Sequence, residues 1–103
     1  MKNLPVIDAF GTKRWYQKGF QVHELGVTRL YKDYILHRDD GPAVIYEDGT
    51  ELWYKDGLLH RDDGPAAILY GGLLRWAKYG KLYQPSAHEL MTWKMNEKNK
   101  NNT

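Results

Sequence analysis

Seven consecutive residues of this chain occur twice. His37-Arg38-Asp39-Asp40-Gly41-Pro42-Ala43 returns 23 residues later as His60-Arg61-Asp62-Asp63-Gly64-Pro65-Ala66. Seven identities at one fixed offset in a chain of 103 residues mark an internal repeat. A repeat this short cannot bury its apolar face alone and has to stack against its neighbours.

The surrounding sequence extends the pattern. The segment 48–57, centred on Trp53, aligns with 71–80, centred on Trp76, and more loosely with 25–34 and 10–19. Four copies then begin near Gly11, Gly26, Gly49 and Gly72, at spacings of 15, 23 and 23. The first interval is short by eight, so the first unit is expected to lack most of the seven-residue segment.

Turn chemistry punctuates each copy. Asp48-Gly49 and Asp56-Gly57 are strong turn signals, because glycine takes a positive φ without steric cost. Between them lie Trp, Tyr, Leu and Thr, which suit strands. Pro42 and Pro65 stand at strand starts, where a missing N–H costs least. Gly41 and Gly64 are expected to supply an unusual backbone angle. The fold class that follows is mainly β: a single-layer antiparallel meander of repeated β-hairpins with a short C-terminal α-helix. The array is expected over 1–85, a capping helix over 86–98 and a disordered tail over 99–103. Ser86 and Glu89 have capping-box spacing. Ala87, Leu90, Met91 and Met95 form the expected apolar stripe, with Trp93 off it.

Composition excludes some chemistry. The absence of cysteine rules out disulfides and thiolate metal sites. No apolar run reaches the roughly 18 residues of a membrane span, so a cytoplasmic protein without membrane contact is expected. A net charge of +2 is too weak to argue for nucleic acid by itself.

Strand alternation assigns side chains to faces. The column Trp15, Leu30, Trp53, Trp76 is uniformly large and apolar and is expected in the core. The neighbouring columns carry Arg14, Arg29 and Arg75, and Tyr16, Tyr31 and Tyr54. They form an expected Arg–Tyr ladder, either a solvated stacking face or a recognition surface. The repeated heptapeptide allows three readings. It is a joint fastened by Arg–Asp hydrogen bonds, a His/Asp metal or acid–base site, or an edge presenting His, Arg and Asp to a partner, with His37, Arg38, His60 and Arg61 as the candidate residues. The joint is favoured, because every unit needs the same one. A kinase catalytic loop is rejected: it needs an Asn five residues beyond the Asp and a Gly-rich phosphate loop, and the chain has neither.

On Asp48-Gly49, Trp53-Tyr54, Gly57, His60-Arg61 and Gly64-Pro65-Ala66, and on their partial copies from Gly11 to Gly80, the chain resembles the MORN-like hairpin repeats of bacterial and phage proteins, including toxin–antitoxin components. The resemblance covers about two-thirds of the chain. It implies an interaction scaffold, with no catalytic residues, cofactor or metal. The expected function is that of a small non-enzymatic protein-binding module, antitoxin-like or inhibitory, acting by occupying a partner protein. A nucleic-acid or nucleotide binder using the Arg/Tyr face is the alternative, and a homodimer through an open sheet edge is compatible with either.

Overall fold

The computed structural model describes residues 4–18, 21–24, 27–30 and 34–101. Gly26 and Tyr31 lie outside them. The chain is mainly β, a meander of antiparallel hairpins followed by one helix. Its thirteen described strands are β1 (Val6–Ile7), β2 (Lys13–Arg14), β3 (Tyr16–Lys18), β4 (Gln21–Glu24), β5 (Val27–Leu30), β6 (Tyr34–Leu36), β7 (Val44–Ile45), β8 (Glu51–Leu52), β9 (Tyr54–Lys55), β10 (Leu58–Leu59), β11 (Ala67–Ile68), β12 (Leu74–Lys78) and β13 (Lys81–Tyr83). The helix α1 (Ala87–Asn101) closes the described chain. The principal sheet runs β1-β2-β7-β8-β11-β12-β13, and β3-β6, β4-β5 and β9-β10 form separate two-stranded ladders.

Each unit makes two turns. At the first, three loops share one hydrogen-bond pattern: Asp8 N–H to Thr12, Tyr46 N–H to Thr50 and Leu69 N–H to Leu73. Gly11, Gly49 and Gly72 sit there at φ of 85°, 93° and 88°, the left-handed position that closes such a loop. The second turn has two central residues, Asp56-Gly57 or Tyr79-Gly80, both at positive φ and flanked by the pairs Lys55↔Leu58 and Lys78↔Lys81. This is the turn type whose twist matches that of paired strands.

Between the two turns the strand changes partners at its tryptophan. Trp53 N–H donates to Ala66 at 2.7 Å, and the Trp53 carbonyl accepts from His60 N–H at 2.9 Å. Trp15 repeats this with Ala43 at 2.8 Å and His37 at 3.0 Å.

This equivalence corrects the count of units. Trp15 matches Trp53 across 38 residues, not across the 15 and 23 read from the glycines. The first unit keeps its own connector, 37–43. What distinguishes it is 15 additional residues at its second turn, which carry the hairpin β4-β5, with Gln21↔Leu30 to Glu24↔Val27 paired. Segment 27–30 therefore belongs to an inserted hairpin and is not a fourth copy. Alternation and turn residues cannot separate the two, because a hairpin insert has the period of the array.

The glycines of the connectors are needed for space, not for backbone angle. Neither Gly41 nor Gly64 is among the positive-φ residues. A Cβ at Gly41 would stand 3.0 Å from the Arg38 guanidinium carbon. At Gly64 it would stand 2.8 Å from that of Arg61 and 2.9 Å from Trp93 Cδ1. Each arginine folds back over its own glycine.

The core is thin. Trp15, Ala43, Val44, Ala66, Ala67, Trp76 and Ala77 are its buried apolar residues, and Pro65 is fully enclosed. Trp53 is half-buried, and the Leu30 side chain lies outside the described set. The elongated form, 55 × 31 × 26 Å, is that of an array growing in one direction.

The helix begins as its sequence predicts. Ser86 Oγ accepts from Glu89 N–H and Glu89 Oε1 accepts from Ser86 N–H, both at 3.1 Å. Its seated face differs from the expected stripe. Met91 and Met95 are each 62 % exposed, while Leu90, Trp93 and Glu97 turn inward. Trp93 packs edge-on against Trp76, with centroids 6.2 Å apart, and fills the gap over Gly64. A large indole in a waiting gap outweighs two flexible thioethers. The helix also runs to Asn101, into the expected tail, since neither Gly nor Pro follows Pro85 to stop it.

Two outcomes follow. Gly64→Ala should lower stability by about 1–3 kcal/mol through overpacking, whereas Gly41→Ala, with only a movable arginine to displace, should stay within about 1 kcal/mol of the parent; urea unfolding measures both. Acid should loosen the helix start and the first turn. The Ser86 N–H holds the Glu89 carboxyl below its usual range, and the Arg14 guanidinium, 2.8 Å away, does so for Asp8. Carboxyls depressed by folding stabilise above their unfolded pKa values, and that contribution drains away as pH falls through the folded ones. The melting temperature should therefore decline as pH drops below about 4.

Candidate functional site

The connectors form the site's framework, and each is a clasp between adjacent units. His37 Nδ1 accepts from Asp56 N–H at 3.0 Å, and His60 Nδ1 accepts from Tyr79 N–H at 3.0 Å. The donor in each case sits in the second turn of the following unit. The opposite ring nitrogen, Nε2, meets Asp39 or Asp62 at 2.8 Å. A backbone N–H can only donate, so Nδ1 carries a lone pair and Nε2 the proton. Both rings are therefore neutral, and Nε2–H donates to the carboxylate.

Two further backbone bonds complete each clasp. Arg38 N–H reaches Tyr54 and Gly57 N–H reaches Leu36; Arg61 N–H reaches Ala77 and Gly80 N–H reaches Leu59. Tyr79, at φ 50°, holds a conformation unusual for a non-glycine residue. It is kept there by its bond to His60 and by ring packing on the same imidazole at 4.4 Å.

The two arginines are engaged within their own connectors. Arg38 lies 3.9 Å over the Trp15 ring and Arg61 lies 4.0 Å over the Trp53 ring. Their Nε atoms donate to Asp40 and Asp63, each at 3.1 Å. One terminal nitrogen of each donates to the carbonyl of Pro42 or Pro65. The Arg–Asp bonds were legible in the sequence; the stacking on tryptophan was not.

Between the two clasps lies a groove of about 650 Å³. Trp53, Tyr54 and Ile68 contribute its aromatic and apolar wall. Six carboxylates line it, Asp39, Asp40, Glu51, Asp62, Asp63 and Glu97, against the cations Arg38, Lys55 and Arg61. The four connector carboxylates are exposed. With both arginines engaged internally, the face presented to solvent is acidic, in a chain whose net charge is +2.

The remaining candidates are dispersed. Arg14 is paired with Asp8, and Tyr16 is half-buried. Arg29 lies in the inserted hairpin opposite Val22, and Tyr31 is outside the described residues. Arg75 is exposed and donates to its neighbour's carbonyl, at Leu74. The sheet register aligns Arg14, Val44, Leu52, Ala67 and Arg75 in one row. Arg14 and Arg75 thus stand four strands apart, about 19 Å, with apolar residues between them. Of the Arg and Tyr columns, Tyr54 alone joins the groove. Sequence reasoning placed the connector aspartates at the edge offered to a partner without naming them individually, and it assigned Trp53 to the core, whereas Trp53 joins the groove wall.

Among the described residues, no helix is long and apolar enough to cross a membrane, and no three His, Cys, Asp or Glu side chains are grouped to hold a metal ion. In comparisons with known proteins the chain matches no family model, no curated protein and no solved structure.

His60→Ala should cost about 2–4 kcal/mol, since it leaves Tyr79 N–H without its acceptor inside the seam. His60→Asn, whose Oδ1 can stand in for Nδ1, should recover part of that loss. His37→Ala should cost less than His60→Ala, because the His37 side chain is 15 % exposed against 3 % for His60. Thermal unfolding of the three variants ranks them, and imidazole ¹⁵N shifts of the parent should show the Nε2–H tautomer at both positions.

Proposed function

We propose that the chain is a small non-enzymatic protein-binding module that takes a basic segment of a partner protein into the groove between its two connectors. Occupying that segment would act as inhibition, in the manner of an antitoxin. The observation that carries this reading is the outward set of carboxylates, Asp39, Asp40, Asp62 and Asp63, beside Trp53 and Tyr54. Exposed carboxylates attract lysine and arginine side chains and repel phosphates. The aromatic wall offers contact area and ring faces to the same cations. The repeated connector holds the carboxylates in fixed register, so little ordering is required on binding. The resemblance to MORN-like scaffolds leads to the same class of function.

The test is titration of ¹⁵N-labelled protein with a synthetic Lys/Arg-rich octapeptide, with an acidic octapeptide and single-stranded DNA as counter-probes. The basic peptide should shift the Trp53 indole N–H and the connector amides, with salt weakening the effect. The Asp40→Asn/Asp63→Asn double variant keeps an acceptor for each arginine while removing two charges. It should bind the peptide roughly tenfold more weakly at unchanged melting temperature. Shifts confined to other surfaces, no response to the basic peptide, or tighter binding of the DNA would overturn the reading.

A further inference from the structure

The two ends of the principal sheet are finished differently. At one end α1 seats Trp93 against Trp76, and β13 carries Lys81 at its start. Lysine on an edge strand discourages further pairing. At the other end, among the described residues, β1 pairs with β2 alone, and the stretch from Leu4 to Ile7 bears no charge.

The repeat itself shows what this open edge lacks. Val6 and Ile7 pair with Arg14 and Lys13, just as Val44 and Ile45 pair with Leu52 and Glu51, and Ala67 and Ile68 with Arg75 and Leu74. Strands β1, β7 and β11 are therefore equivalent. On their other side, β7 is covered by β2 and β11 by β8, both antiparallel. Burial follows this cover. Val44 is 2 % exposed and Ala67 is 4 %, whereas Val6 and Ile7 are each 58 % exposed. Leu4, just before β1, and Phe10, in the turn after it, are also exposed. In the interior units the carbonyls of Ala43 and Ala66 accept from Trp15 and Trp53. Pro5 holds the corresponding position at the open edge.

We propose that the β1 edge is a self-association surface, occupied by β1 of a second copy in an antiparallel, two-fold ladder. The complement required is an antiparallel strand with a free edge. Among the described residues of a second copy, β2, β8 and β12 are each paired on both sides, and the free edges are β1, β13 and those of the ladders β3-β6, β4-β5 and β9-β10. The lysine disfavours β13, and against the β1 edge only a second β1 gives a contact that closes on itself. Antiparallel pairing of identical strands is two-fold symmetric, so the contact closes on itself and stops at a dimer. It covers Val6 and Ile7 in both copies and leaves the connector groove, on later strands, open.

Sedimentation equilibrium of the full chain across a concentration series tests this. A monomer–dimer equilibrium is expected, with Val6→Lys roughly tenfold or more weaker and Leu82→Lys, on β13, unchanged. Because the chain has no cysteine, Val6→Cys supplies a single thiol as a second measurement on folded protein. Under oxidised glutathione it should form a covalent dimer readily, and Leu82→Cys should not. A monomer at all concentrations, association abolished by Leu82→Lys and spared by Val6→Lys, or preferential cross-linking through position 82 would each overturn the proposal.

Discussion

The array rests on one hydrogen bond made twice: a backbone N–H from the second turn of one unit into the imidazole of the preceding connector. A single-layer sheet has no second layer to bury against, so the cost of closing its seams has to be met by groups that satisfy each other. The connector meets that need. Its histidine accepts the N–H and donates its own ring N–H to an aspartate, its arginine covers a tryptophan, and its proline and alanine fill the small volume beneath. Remove the imidazole and a donor is stranded at the junction, where its desolvation is uncompensated. The connection is local, and the same at both junctions, which is how a quasi-one-dimensional protein keeps its register without a large core.

The joints were legible because they obey short-range rules. Asp-Gly in the second turn, the capping box at Ser86 and the Arg–Asp bonds of the connector all depend on residues within a few positions of each other. What was hidden depends on distance in space. The inserted hairpin, paired over 21–30, imitates the array, since any hairpin alternates with the same period; only the bonds of Trp15 to Ala43 and His37 reveal Trp53 as the true counterpart of Trp15. The helix stripe was read from spacing, yet the deciding fact is a gap above Gly64 that only a folded connector creates. The connector glycines show the same limit. Sequence cannot say whether a glycine is there for its backbone or for its missing side chain, and here it is the second.

The site shows how folding can invert the apparent character of a motif. In the sequence Arg38 and Arg61 look available, and the aspartates look like their counter-ions. Folding engages each guanidinium with an aromatic face, a carbonyl and one carboxylate oxygen. The charge left facing outward is negative. The Arg and Tyr columns undergo a similar change: their members are separated by Val44, Leu52 and Ala67, by an ion pair to Asp8 and by the inserted hairpin.

That inserted hairpin also separates the length of a unit from the pitch of the array. Fifteen residues enter at the tip of the first unit, and yet Trp15, Arg38 and Gly57 make the same bonds as Trp53, Arg61 and Gly80. The insert leaves the seam unchanged, because β3 and β6 have already paired below it, and lengthening a loop adds closure entropy only slowly. The tips are thus graft points: extra chain can hang from them while the spine beneath keeps its spacing.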